Sequence, residues 1–94
     1  MVEVNKIIIA KSIEIWGEDT QTTVCMEECA ELIQAISKEK RGKSDKNHLA
    51  EEIGDVLISI EILKQIYAIS DDTLKAWIEE KQKRVIDACN DFRK

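Results

Sequence analysis

The sequence predicts an all-α protein, a four-helix bundle built as one domain over residues 1–94. Three observations predict it. There is no proline and there are only three glycines, so long stretches run without a helix breaker. Ile, Leu, Ala, Glu and Lys dominate, a composition that favours helix. No Asn-Gly or Asp-Gly pair separates two alternating apolar runs, so hairpins are not expected. A chain of 94 residues suits one domain with one modest core.

The first helix is expected over Val2 to Trp16, where Val4, Ile7, Ile8, Lys11 and Ile15 fall near one face and Ile9 and Ile13 widen it. Gly17 ends it, because glycine accepts the left-handed backbone that a helix stop often needs. Asp19 or Thr20 can cap the second helix, expected from about Thr20 to Lys40. At ~100° per residue, Val24, Cys25, Cys29, Leu32, Ile33, Ala35 and Ile36 form its apolar stripe. Arg41 to Lys46 is a polar connector.

Asp45 or Asn47 can start the third helix, which continues to about Ile69. Its main stripe is Leu49, Ile53, Val56, Ile60, Leu63 and Tyr67. Ile58, Ile62, Ile66 and Ile69 cover much of the opposite side, and Gly54, Glu61 and Gln65 make the clearest wet strip. Ser70 to Thr73 is a capping cluster for the last helix, expected from about Asp72 to Phe92. Leu74, Trp77, Ile78, Lys81, Val85, Ala88 and Phe92 form its inner face. Short connections between four such helices predict a bundle.

Net charge is −5, which argues against a nucleic-acid-binding surface. No apolar run approaches a membrane span, and the start lacks the basic stretch and cleavage site of a signal peptide. The three cysteines, Cys25, Cys29 and Cys89, read as reduced, buried packing thiols of a cytoplasmic protein. One histidine, His48, and no second Cys/His pair argue against a zinc site. His48 reads as a first-turn helix residue.

The chemistry concentrates in two acidic segments, Glu27-Glu28-Cys29-Ala30-Glu31 and Glu51-Glu52-Ile53-Gly54-Asp55. Glu28/Glu31 and Glu52/Asp55 are both spaced i, i+3, which stacks two acids on one helix face. Glu28 falls inside the apolar stripe of its helix, between Val24 and Leu32. A carboxylate placed there is costly unless paired or metal-bound. Acids at this spacing are common on exposed helices, but here both pairs lie in apolar arcs. Two such helices side by side would aim four carboxylates at one point. Such a group calls for a cation, and Mg²⁺ takes hard oxygen ligands of this kind.

Glu27-Glu28-x-x-Glu31, a gap of about twenty residues, then Glu52-x-x-Asp55, resembles the signature of MazG-like nucleotide pyrophosphohydrolases, of the all-α nucleoside triphosphate pyrophosphatase superfamily. Trp16-Gly17, Gln21, Glu31-Leu32-Ile33 and the basic run Lys38 to Arg41 add to the likeness, as do Lys81 and Arg84. The resemblance implies hydrolysis of a (d)NTP to a monophosphate and pyrophosphate. It implies Glu28, Glu31, Glu52 and Asp55 as ligands of Mg²⁺, with Mn²⁺ as a possible substitute. Glu27 and Glu31 are both candidates for general base. An asparagine that follows the second acidic motif in larger MazG proteins is replaced here by Ile62, so the chain resembles the short, single-domain members.

Trp16 is either a core aromatic at a helix end or a stacking wall for a base. Gln21 can reach a nucleotide or serve the helix start. Lys38, Lys81 and Arg84 are candidate phosphate contacts, set against ordinary solvated charge. The nearly all-round apolar third helix predicts a homodimer or homotetramer. Two other functions are compatible with the sequence: a non-catalytic acidic interaction module, and phosphoribosyl-ATP pyrophosphohydrolase activity.

Overall fold

The computed structural model describes residues 2–93. Four helices follow one another: α1 (Lys6–Trp16), α2 (Glu18–Lys40), α3 (Lys46–Ile66) and α4 (Asp71–Arg93). The described residues contain no strand, as the composition predicts. No helix among them is long and apolar enough to cross a membrane.

The helix ends are set by local hydrogen bonds. α1 begins at Lys6 rather than Val2, because the Asn5 side chain accepts from the amides of Ile7 and Ile8 at 3.0 and 3.1 Å. Gly17 (φ 85°, ψ 161°) both ends α1 and opens α2. Its amide donates to Ile13 and its carbonyl accepts from Gln21. No residue is left over for a linker, so Asp19 and Thr20 lie inside α2 instead of capping it.

α2 and α3 close with the same device. Lys43 donates to the Lys38 carbonyl and Gly42 to that of Glu39, with Gly42 at φ 79°. These two bonds define a Schellman motif. At the end of α3, Ile69 donates to Lys64 in the equivalent way, but the left-handed position is filled by Ala68 (φ 53°). The Asp45 carboxylate caps α3 through the His48 amide at 3.1 Å.

α2 and α3 run antiparallel and pack along their length, and α1 lies against both. The centre is small: Ile9, Cys25 and Ile62 are buried, with Val4, Ile13, Leu63 and Ile66 packed around them. This differs from the expected faces. On α1 the inward residues are Ile9 and Ile13, while Ile7, Ile8 and Ile15 are exposed. On α2, Cys29, Ile33 and Ile36 of the expected stripe are exposed, and with Cys89 exposed on α4, which no other helix covers, only Cys25 of the three thiols is buried. On α3 the inward side is the Ile62 and Ile66 side, and Ile53, Ile60 and Tyr67 are exposed. When a helix is apolar nearly all round, periodicity cannot choose which side meets its neighbour.

Glu61, expected in the wet strip, is buried. It accepts from Gln65 at 2.9 Å and pairs with Lys64 at 3.4 Å. Gln65 also donates to the Lys6 carbonyl, and Lys64 and Lys6 both pair with Asp71. This polar knot joins α1, α3 and the first turn of α4.

Beyond that knot, α4 packs on none of the other helices, and none of its described residues is buried. Trp77 is 56 % exposed and Phe92 93 %. The four helices are those expected, but they do not close into a bundle within one chain. The inner face expected for α4 is uncovered here, because an amphipathic stripe specifies that a cover is needed without specifying which surface supplies it.

Candidate functional site

The antiparallel pairing of α2 and α3 decides where the acids go. Cys25 is buried and its Sγ donates to the Ser59 carbonyl at 3.6 Å. Ser59 Oγ in turn donates to the Asp55 carbonyl at 3.0 Å. With Cys25 opposite Ser59, one turn further along α2 is Glu28 and one turn back along α3 is Asp55. A second step places Glu31 opposite Glu52. Each i, i+3 pair therefore faces the other across the helix interface.

One carboxylate oxygen from each of Glu28, Glu31, Glu52 and Asp55 lies within 4.8 Å of the others. Glu52 is buried, Glu28 and Asp55 are half-buried, and Glu31 is exposed at the rim. Glu28 Oε2 and Glu52 Oε2 are buried without a hydrogen-bond partner. Burial pushes the Glu28 carboxyl up to about 7, helped by a hydrogen bond and repulsion from Asp55 and by repulsion from Glu31 and Glu52. Burial, and repulsion from Glu31, also raise Glu52, with His48 acting in the opposite direction.

Two buried oxygens without partners and a group of converging negative charges are an arrangement a hard divalent cation would satisfy. The donor set, all carboxylate oxygen, fits Mg²⁺ or Mn²⁺ better than a thiolate- or imidazole-seeking metal.

The other sequence candidates are placed differently. Glu27 is exposed, one residue round the helix from the cluster. Gln21 is buried, two turns before Glu28 on α2. Trp16 is 60 % exposed at the end of α1. Lys38 is exposed in the last turn of α2. Lys81 and Arg84 lie on α4 and are not brought to the acids within one chain. There, Lys81 Nζ sits 5.9 Å from the Trp77 ring centroid and Arg84 pairs with Glu80 at 3.3 Å.

His48 is the residue the sequence reading undervalued. Its Nε2 lies 3.7 Å from Glu52 and its Nδ1 3.5 Å from Glu51. These three form a second group with metal-compatible spacing, sharing Glu52 with the first. Its place four residues before Glu52 was the available signal.

A helical hairpin presenting an i, i+3 acid pair from each arm defines a class: all-α proteins with a carboxylate cluster able to hold a metal ion. Residues 17–86 match the family model described as the MazG nucleotide pyrophosphohydrolase domain. The chain belongs to the MazG nucleotide pyrophosphohydrolase family. The matched span contains all four acids of the cluster. Searches of curated proteins and of solved structures returned no match.

Proposed function

We propose that this chain is a Mg²⁺-dependent nucleoside triphosphate pyrophosphohydrolase, converting a (d)NTP to the (d)NMP and pyrophosphate. The observation that carries the reading is the pair of buried, unpartnered oxygens on Glu28 and Glu52, set among four converging acids. An interaction surface has no use for buried carboxylate oxygens left without a hydrogen bond.

Glu28, Glu31, Glu52 and Asp55 are the proposed ligands, with Mn²⁺ as a substitute. When bound, the ion neutralises phosphate charge and lowers the pKa of an attacking water. The net reaction adds water across one phosphoanhydride bond: the water oxygen joins one phosphorus, and pyrophosphate leaves with the bridging oxygen. Glu31 is the better placed base, because it belongs to the cluster and is exposed at its rim, while Glu27 is exposed and is not one of the four clustered acids. Gln21 and Trp16, at the α1–α2 end of the site, are proposed for nucleotide binding. Lys38, Lys81 and Arg84 are proposed for phosphate.

We further read residues 1–94 as one catalytic domain that works in the cytoplasm as a homodimer or homotetramer, in keeping with its free cysteines and the exposed apolar faces of α3 and α4. The test is a (d)NTP panel with Mg²⁺, with products separated by ion exchange. The expected products are monophosphate and pyrophosphate, and Glu28→Gln abolishes them. Orthophosphate as the sole first phosphate product, or turnover unaffected by Glu28→Gln, sinks the proposal. Phosphoribosyl-ATP belongs in the same panel.

A further inference from the structure

His48 stands one turn before Glu52 on α3, and it is the only histidine of the chain. Residues four apart share a helix face, so the ring and the carboxylate reach into the same space. Nε2 lies 3.7 Å from Glu52 Oε1, which is too long for a hydrogen bond of good geometry. It is close to the roughly 3–3.5 Å that separates two atoms bound to one ion at about 2.1 Å each. On the other side of the ring, Nδ1 lies 3.5 Å from Glu51 Oε1.

A histidine beside two glutamates on a wet helix face is an ordinary surface pair. Glu52 is not on a wet face. It is 5 % exposed, and its Oε2 is buried without a hydrogen-bond partner. Among the described residues no lysine or arginine pairs with Glu51 or Glu52. One oxygen of this buried carboxylate therefore faces a ring nitrogen, and the other has no donor at all. A cation between Nε2 and Glu52 answers both the charge and the spacing.

We propose that His48 and Glu52 form a second cation site beside the four-acid cluster, one that takes an imidazole-seeking divalent metal of the Zn²⁺ kind rather than Mg²⁺. His48 Nε2 and Glu52 Oε1 are the ligands, and water completes the shell on the exposed side. Glu51 holds the ring: it accepts from Nδ1–H, which fixes the tautomer that leaves Nε2 free for the metal. Mg²⁺ keeps to oxygen ligands, whereas imidazole suits Zn²⁺. The chain lacks the second Cys/His pair of a closed zinc site, so this site is open and its ion exchangeable. The inference rests on the acid-cluster reading only at Glu52, which the two ions share through its two oxygens. Mg²⁺ then fills the cluster alone, and Zn²⁺ adds one ion at His48.

The lone histidine makes the test direct, because every imidazole signal in an NMR spectrum belongs to it. With millimolar Mg²⁺ present to fill the acid cluster, one equivalent of Zn²⁺ is expected to move the Nε2 resonance to that of a metal-bound nitrogen. Mg²⁺ alone is expected to leave it in place. In calorimetry under the same conditions, His48→Ala is expected to bind one Zn²⁺ fewer than wild type. Its melting temperature still rises with Mg²⁺, which shows that the variant is folded. Glu51→Gln is expected to keep the wild-type stoichiometry and to bind that Zn²⁺ about 10–100-fold more weakly. An Nε2 resonance indifferent to Zn²⁺, or a His48→Ala chain that binds as many Zn²⁺ as wild type, overturns the site. Zn²⁺ on Nε2 in a wild type whose melting temperature ignores Mg²⁺ supports this site and removes the Mg²⁺ reading of the four acids.

Discussion

Cys25 on α2 donates its thiol to the Ser59 carbonyl on α3, in the same register that brings Glu28 to Asp55 one turn away. It lies at the centre of the small core, beside Ile9 and Ile62. Cys25→Ala removes a buried sulfur and leaves the space open. The expected loss is about 1–2 kcal/mol, read as a drop in denaturant midpoint with unchanged m-value. Ser59→Leu, which forces volume into the same contact, is expected to cost about 1–3 kcal/mol. If both variants unfold at the wild-type midpoint, the contact does not stabilise the α2/α3 pairing.

Metal binding should be visible as stability. Relief of repulsion among Glu28, Glu31, Glu52 and Asp55 by millimolar Mg²⁺ is expected to raise the melting temperature of wild type, and to do much less for Glu52→Gln. Chelator should reverse the gain. A wild-type melting curve indifferent to Mg²⁺ and Mn²⁺ counts directly against the cluster as a metal site.

The sign of the pH dependence follows from Glu28. Its carboxyl is raised from 4.5 to about 7 in the folded chain, so between those values the folded state holds a proton that the unfolded state has lost. Folding stability without metal is therefore expected to fall as pH rises from about 4.5 through about 7. Glu52, raised as well, acts in the same direction. Urea melts at several pH values in chelator measure this, and Glu28→Gln should flatten the slope. A wild-type stability that climbs steadily across that range contradicts the crowding of acids described here.

Ala68 occupies a left-handed position where glycine would be at ease, at φ 53°. For alanine that conformation costs about 1–2 kcal/mol, while glycine's extra freedom in the unfolded chain gives back about 0.5–1 kcal/mol. The difference favours the native fold: Ala68→Gly is expected to stabilise by about 0.5–1 kcal/mol. Gly17→Ala is expected to do the reverse, losing about 1–3 kcal/mol, because φ 85° with ψ 161° is a region almost confined to glycine. Thermal melts of the two variants should move in opposite directions.

The polar knot at the base of α4 gives the last expectation. Lys64→Ala leaves buried Glu61 with only Gln65 and frees Asp71 from its closer cation. It should lower the melting temperature more than Lys75→Ala, an exposed lysine one turn into α4. Equal effects would mean that the knot does not anchor α4.

Much of this molecule was legible in the chain itself. The lack of proline and the helix-forming composition dictated four helices, and Gly17, Gly42 and Asp45 marked where they stop or start. The i, i+3 acids in apolar arcs marked the candidate site, because a carboxylate among Ile and Leu needs a reason to be there. What the chain could not state was which face of α1 and α3 turns inward, that Glu61 is buried in a polar knot, that His48 leans on Glu52, or that α4 stands free of its own bundle. Periodicity describes each helix relative to itself. Only packing fixes one helix relative to another, since a side chain's neighbours across an interface are set by register and crossing, which no single helix encodes.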